Sequence, residues 1–251
     1  MLKKWDKLPD KMKTEEVRFY YDILQKKQLS LVMKRLFDIV VSAILLVLLS
    51  PVFIILSIAI KLDSKGPVFY RQERTTIYGK QFRIHKFRTM INHADKKGSL
   101  VTVKNDSRVT KIGSLIRKCR LDEIGQLIDV LFGKMTFVGT RPEVEKYVNR
   151  YAPVMMATLL LPAGVTSEAS ILYKDEDKLL DDVENVEDVY IKTILPRKMY
   201  YNLNSIEKFS FWRDISTMFK TVLAMLGKKY ETDISGEEKF INDLKEKIKV
   251  I

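Results

Sequence analysis

The sequence predicts an α+β fold, mostly helical, built as a monotopic membrane protein with a proline-broken re-entrant helix, a β-hairpin and interfacial amphipathic helices. Three observations carry that expectation: an uncharged apolar run with a proline near its middle, two extended stretches joined by a glycine turn, and later segments whose apolar residues recur at three-four spacing.

The run from Ile39 to Ile60, IVVSAILLVLLSPVFIILSIAI, carries no charged residue and reaches the roughly 20 residues that a bilayer core requires. It starts well inside the sequence and has no small-residue cleavage site behind it, which argues against a signal peptide. Ser50-Pro51 stands at its middle, where proline removes an amide donor and clashes with the preceding turn, so a break or bend is expected there. Lys26, Lys27, Lys34 and Arg35 precede the run, and Lys61, Lys65, Arg71 and Arg74 follow it, so both ends read as cytoplasmic. A hairpin that enters, turns at Ser50 and Pro51 and leaves on the same side satisfies charge and proline together, with the Ser50 hydroxyl free to bond a released carbonyl. A proline-kinked spanning helix is the alternative.

Four regions follow. Residues 1–33 form an N-terminal surface-helix extension, with Val17, Tyr20, Tyr21 and Leu24 on one face. Residues 34–62 are the re-entrant element. Residues 63–230 make a cytosol-facing domain with interfacial helices, and residues 231–251 are a charged helix or frayed tail. Within the domain, a turn at Ser64-Lys65-Gly66-Pro67 leads to extended stretches Val68–Arg74 and Gln81–Phe87, joined through Tyr78-Gly79-Lys80 as a hairpin. Helices are expected over Arg108–Lys118, Asp122–Phe132 and Glu143–Tyr151. The apolar patch Met155–Leu161 reads as core or membrane contact. Phe209, Phe211, Trp212, Ile215, Met218, Phe219, Val222 and Leu223 make an amphipathic helix, lying in the interface or docked on the core.

The chain has 251 residues, a net charge of +12 and a single cysteine. Its length suits one substantial domain. One cysteine excludes an internal disulfide, and no Cys/His spacing offers structural zinc. The positive charge calls for an anionic partner such as phosphate or an anionic membrane. Nucleic acid is not expected, because no recognition helix, zinc finger or RNA-binding motif accompanies the charge.

The chemistry-bearing candidates begin with Asp122-Glu123 at a predicted helix start, where the dipole keeps carboxylates ionised; on their own they read first as capping and first-turn residues. Lys86, Arg88, Arg117 and Arg141 each stand beside a turn or element end, where they suit phosphate oxygens or a structural ion-pair network. Lys34 and Arg35 suit lipid headgroup phosphates or plain snorkelling. His85 and His93 read as structural, and Cys119 as a buried small side chain.

Taken in order, Lys34-Arg35-Leu36-Phe37-Asp38, Ser50-Pro51, Gly66-Pro67-Val68-Phe69-Tyr70-Arg71-Gln72, Lys86-Phe87-Arg88-Thr89-Met90, Arg117, Leu121-Asp122-Glu123, Gln126-Leu127, Val138-Gly139, Arg141-Pro142 and Pro162 with Gly164 and Thr166 resemble the bacterial sugar transferase family, the small monotopic phosphoglycosyl transferases. The similarity runs from about residue 34 to 225. It implies transfer of a sugar 1-phosphate from a UDP-sugar to polyprenyl (undecaprenyl) phosphate, with release of UMP, at the cytosolic face of the bacterial inner membrane. Asp122 is implied as nucleophile and Mg²⁺ ligand, and Glu123 as a group that orients the metal or helps deprotonate the lipid phosphate. An acyl phosphate on a carboxylate divides one hard displacement into two easier ones. Departures from the family pattern are Thr76 for a glycine, Gly125 and Thr140 for prolines, and the stretch VTSEASIL from Val165 to Leu172, so sugar choice does not carry over. A silent membrane scaffold is the rival reading, and a transferase that releases UDP is the rival chemistry.

Overall fold

A computed structural model describes residues 2–92, 94, 106–174 and 185–249. Thr14 starts α1 (Glu15–Gln25): its hydroxyl accepts the Val17 N–H, and Glu15 and Glu16 occupy the first turn, where free amides favour negative charge. The predicted apolar face is not at the surface. Val17, Tyr21 and Leu24 are buried with Leu8 and Met12 against Ala157, Leu159, Leu160, Leu203 and Ile206, each aliphatic contributing about 1.5–3 kcal/mol of burial.

The apolar run forms α2 (Gln28–Leu48) and α3 (Ser50–Asp63), bent by 60° across Leu49. The helix thus begins at Gln28, ahead of the boundary expected at residue 34. Pro51 lies in the first turn of α3, where its missing donor has no partner to lose. The Ser50 hydroxyl donates to the Val47 carbonyl at 2.8 Å, as the break demands. Among the described residues no single helix is long and apolar enough to cross a membrane; the bent pair passes only when its two helices are taken together. One face is bare: Leu36, Val40, Ile44, Val47, Leu48, Ile54, Ile55, Ile58 and Leu62 are exposed.

The predicted hairpin appears in two parts. β1 (Phe69–Tyr70), β2 (Glu73–Thr75), β3 (Gln81–Arg83) and β4 (Lys86–Phe87) pair antiparallel, with Phe69 opposite Phe87 and Arg74 opposite Phe82. Gly66 leads into it at φ +132°, and a Cβ there would strike the Arg88 guanidinium. Next come α4 (Lys111–Lys118), capped by Thr110, and α5 (Gln126–Leu131). β5 (Met135–Val138) pairs in parallel with β6 (Ala163–Thr166). Between these strands lie α6 (Glu145–Val148) and a 3-10 segment Pro153–Leu160 that is core, as the apolar patch suggested. Gly139 and Gly164 let the paired strands close, since a Cβ on Gly164 would meet the Gly139 backbone at 2.2 Å.

The remainder is helical: α7 (Glu168–Leu172), α8 (Val186–Val189), a π-helical turn Tyr190–Ile194, α9 (Leu195–Glu207), α10 (Phe211–Met225) and α11 (Ile234–Lys249). α10 buries Thr217 and Ala224 but leaves Trp212, Phe219, Val222, Leu223 and Met225 exposed. The C-terminal stretch is neither frayed nor free. Leu244 packs with Met155, Leu195 and Met199, and the buried Glu237 carboxylate accepts the hydroxyls of Tyr173 and Tyr201 at 2.9 and 2.6 Å.

α2 is tied to the rest of the chain by polar clasps. Asp38, buried, accepts the Thr136 hydroxyl at 2.7 Å and the Phe137 N–H at 3.1 Å. Lys34, 6% exposed, donates to the Val138 carbonyl at 2.6 Å and pairs with Asp214 of α10 at 2.5 Å. Arg35 donates to the Val130 and Leu131 carbonyls at 2.7 and 2.8 Å, closing the end of α5. Lys34 and Arg35, which the sequence offered for lipid headgroups or snorkelling, thus make these contacts inside the protein. Their heads are turned inward, because a buried cation needs partners and these carbonyls and carboxylates supply them.

Candidate active site

The dyad does not open a helix. Arg120 adopts left-handed φ +55°, the chain reverses after α4, and Leu121–Glu123 form a 3-10 turn ahead of α5. Leu121 and Ile124 of this turn pack with Phe87, Ile116, Leu56 and Ile60, so the two carboxylates stand on a platform shared by β4 and α3. A Cβ at Gly125 would lie 2.8 Å from the His85 carbonyl, so the residue after the dyad is small where the turn meets the strand.

Three of the predicted side chains meet here. Glu123 Oε1 accepts from Lys86 Nζ at 2.9 Å and from an Arg141 terminal nitrogen at 2.7 Å. Burial alone would raise the Glu123 carboxyl, but the Arg141 guanidinium and the Lys86 ammonium outweigh it and hold it well below the usual carboxylate range. Lys86 is pushed down by burial, with Glu123 opposing. Asp122 behaves in the opposite way to its neighbour. Burial raises its carboxyl, Lys86 opposes, and the adjacent Glu123 charge adds to the rise. Two consecutive carboxylates thus hold different environments: Glu123 is neutralised by two cations, while Asp122 lies beside them as the carboxylate with fewer partners.

Arg117 and Arg88 stand apart from this trio. Arg117 Nε donates to the Thr89 hydroxyl at 2.8 Å, and its charge still reaches Asp122. Arg88 is buried, and its terminal nitrogens donate to the Ser64 and Lys65 carbonyls at 2.7 and 2.9 Å, capping the C-terminal end of α3. A guanidinium with that many carbonyl partners fastens the helix to β4 rather than standing open to a phosphate. Ser50 and Pro51 lie at the bend between α2 and α3. Among the described residues no group of three or more His, Cys, Asp and Glu side chains forms a metal cluster.

The bacterial sugar transferase profile matches residues 29–228, a span that holds every one of these side chains. The chain belongs to the bacterial sugar transferase family. It is 34% identical over 198 residues to the UDP-glucose:undecaprenyl-phosphate glucose-1-phosphate transferase of Klebsiella pneumoniae, covering 77% of this chain and 40% of that protein. It is 33% identical over 196 residues to the UDP-N-acetylgalactosamine-undecaprenyl-phosphate N-acetylgalactosaminephosphotransferase of Aeromonas hydrophila, covering 77% and 43%. A UDP-glucose:undecaprenyl-phosphate glucose-1-phosphate transferase of Caulobacter vibrioides is 32% identical over 196 residues, covering 77% and 69%. The chain spans about two fifths of the length of the first two relatives.

Several features of this sugar transferase were not foreseen. Thr76, in place of the family's glycine, donates its hydroxyl to the Lys134 carbonyl at 2.7 Å and accepts the Ala163 N–H at 3.0 Å, joining the starts of β5 and β6. His85, expected to be structural, has Nδ1 at 2.8 Å from the fully buried Asp129 carboxylate, which also accepts the His85 N–H. Cys119, expected to be buried, is exposed at the end of α4. His93 lies outside the described residues. Asp38, Asp129 and Asp214 carried one sequence signal, a lone carboxylate amid apolar helical residues, which calls for a buried partner.

Proposed function

We propose that the chain transfers a sugar 1-phosphate from a UDP-sugar to polyprenyl (undecaprenyl) phosphate, giving polyprenyl-diphosphate-sugar and UMP, as the first membrane step of glycan assembly at the cytosolic face of the bacterial inner membrane. The observation that carries this reading is the asymmetry of the dyad: Glu123 is held by Lys86 and Arg141 at 2.9 and 2.7 Å, while Asp122 beside it is the carboxylate available to react. The names of the relatives support the donor and acceptor classes.

In the first half-reaction an Asp122 carboxylate oxygen attacks the β-phosphorus of the donor, and the bond from that phosphorus to the UMP oxygen breaks. UMP leaves with the electron pair, and the phosphosugar remains on Asp122 as an acyl phosphate. In the second, an oxygen of polyprenyl phosphate attacks the same phosphorus, and the Asp122 carboxylate is released. Lys86 and Arg141, already converged on Glu123, offer the diphosphate compact and forked donors. Mg²⁺ commonly takes only one or two carboxylates and completes its shell with phosphate and water oxygens, so Asp122 with the donor diphosphate fits it; when bound it neutralises charge on those oxygens. Glu123 keeps the two cations aligned.

The bent pair α2–α3 serves as a re-entrant anchor, with its vertex in the bilayer and the exposed face of α10 in the interface. The same-side flanking charges and the bare apolar faces support this. The dyad turn packs directly on α3, so the reacting carboxylate stands near the depth at which a polyprenyl phosphate headgroup emerges.

The test is UMP release by membrane fractions given Mg²⁺, polyprenyl phosphate and a panel of UDP-sugars. Wild type is expected to release UMP with at least one sugar, and Asp122→Asn to release none. UMP release that persists in Asp122→Asn, or UDP as the product, overturns the reading.

A further inference from the structure

Behind Arg141 lies a polar cluster with no role in the scheme above. Glu143, 7% exposed, sits two residues after Arg141; its backbone carbonyl accepts the Thr75 N–H at 2.8 Å and its carboxylate accepts the Tyr190 hydroxyl at 2.5 Å. Arg74, on the neighbouring strand β2, donates to the Pro142 carbonyl at 3.3 Å and to the Gln72 side chain at 2.6 Å. Arg74 also lies in the electrostatic field of both Glu143 and Arg141. Two guanidiniums this close repel, and the Glu143 carboxylate is the compensating charge.

Tyr190 comes from the π-helical turn Tyr190–Ile194, an irregularity that turns one extra residue inward and often marks a functional position. Its ring stacks on Tyr147 with centroids 5.0 Å apart. It also packs in the cluster that receives Phe240 and Leu244 of α11. A chain of contacts therefore runs from α11 through Tyr190 to Glu143, along the Pro142 turn to Arg141, and on to Glu123.

We infer that Arg74, Glu143 and Tyr190 are positioning residues that hold the Arg141–Pro142 turn in the one arrangement that aims Arg141 at the donor diphosphate. The inference rests on the proposed reading of Arg141 as a phosphate contact. If the turn is released, Arg141 is competent for only a fraction of the time, and donor affinity falls by that fraction while the chemistry of bound donor is unchanged.

The experiment measures binding of UDP, which carries both phosphates and needs no knowledge of the sugar, to the full chain in detergent micelles with Mg²⁺. Four proteins form a double-mutant cycle: wild type, Tyr190→Phe, Arg141→Ala and the pair. Tyr190→Phe removes one oxygen and keeps the ring on Tyr147, and thermal melting checks that each variant folds. The expected result is that Tyr190→Phe weakens UDP binding about tenfold or more in the wild-type background, the size of one hydrogen bond to a charged group, and less than about twofold when Arg141 is already alanine. Equal factors in both backgrounds, or no change in either, overturn the inference and leave the transferase reading standing. Wild-type protein that fails to bind UDP overturns both, while UMP release persisting in Asp122→Asn overturns the mechanism alone.

Discussion

Replacing Glu123 by glutamine removes one charge and almost no volume, which isolates the electrostatic part of the site. In the native protein a single oxygen accepts two charge-assisted bonds, from Lys86 at 2.9 Å and Arg141 at 2.7 Å, with the Glu123 side chain 17% exposed. Each such bond contributes about 1.5–3 kcal/mol, and an amide oxygen retains part of that, so the net loss is about 2–4 kcal/mol. For a domain of this size that lowers the melting temperature by about 4–16 °C at neutral pH. The pH dependence has a definite sign. Glu123 is ionised far below its unfolded value, so its stabilisation is complete above the ordinary carboxylate range and drains away as pH falls towards its depressed folded value. The gap in melting temperature between wild type and Glu123→Gln should therefore be widest near pH 7 and close in strong acid. The assay is thermal melting in micelles across pH, and a gap that is absent at pH 7 or grows on acidification refutes the assignment of Glu123 as the counter-charge of Lys86 and Arg141.

Other expectations follow from contacts already described. Lys34→Ala removes the cation paired with the partly buried Asp214 carboxylate and should destabilise the protein by about 3–5 kcal/mol in denaturant titration. Thr76→Gly removes two hydrogen bonds at the β5–β6 junction and should lower stability by about 1–3 kcal/mol, read by the same titration. Pro51→Ala restores a helical donor at the vertex; cysteine labels before residue 33 and after residue 61 are expected on one side of the bilayer in wild type and on opposite sides in a growing fraction of the variant. Truncation after residue 230 uncovers the cluster of Met155, Leu195 and Met199, and should expose apolar surface detectable by dye binding.

Legibility in the sequence followed range. The break at Ser50 and Pro51 and the hairpin through Gly79 were readable because proline geometry and strand alternation act over a few residues. The apolar face of α1 was readable too, but not what it packs against, since Ala157 and Leu203 lie far along the chain. Among the site residues, Lys86, Glu123 and Arg141 do converge. Arg88, Lys34 and Arg35 looked equally available, because a cation's charge is visible in a sequence while the carbonyls opposite it are not. The dyad was assigned to a helix start because its spacing fits one; the left-handed Arg120 that displaces it into a 3-10 turn is a residue type that gives no such warning. The C-terminal helix was one of the two forms expected, but its docking was not legible, because it rests on Leu244, on the buried Glu237 and on two tyrosines from elsewhere in the chain.

The Arg88 clasp works like the fixed jaw of a caliper. It closes α3 at Ser64 and Lys65 from the residue that follows β4, and Lys86, two positions earlier, donates to Glu123. On the proposed reading, the height of the reaction above the lipid tails is thereby set by the protein's own hydrogen-bonded geometry rather than by bilayer thickness, and a lipid acceptor of any chain length is expected to present its phosphate at the same level.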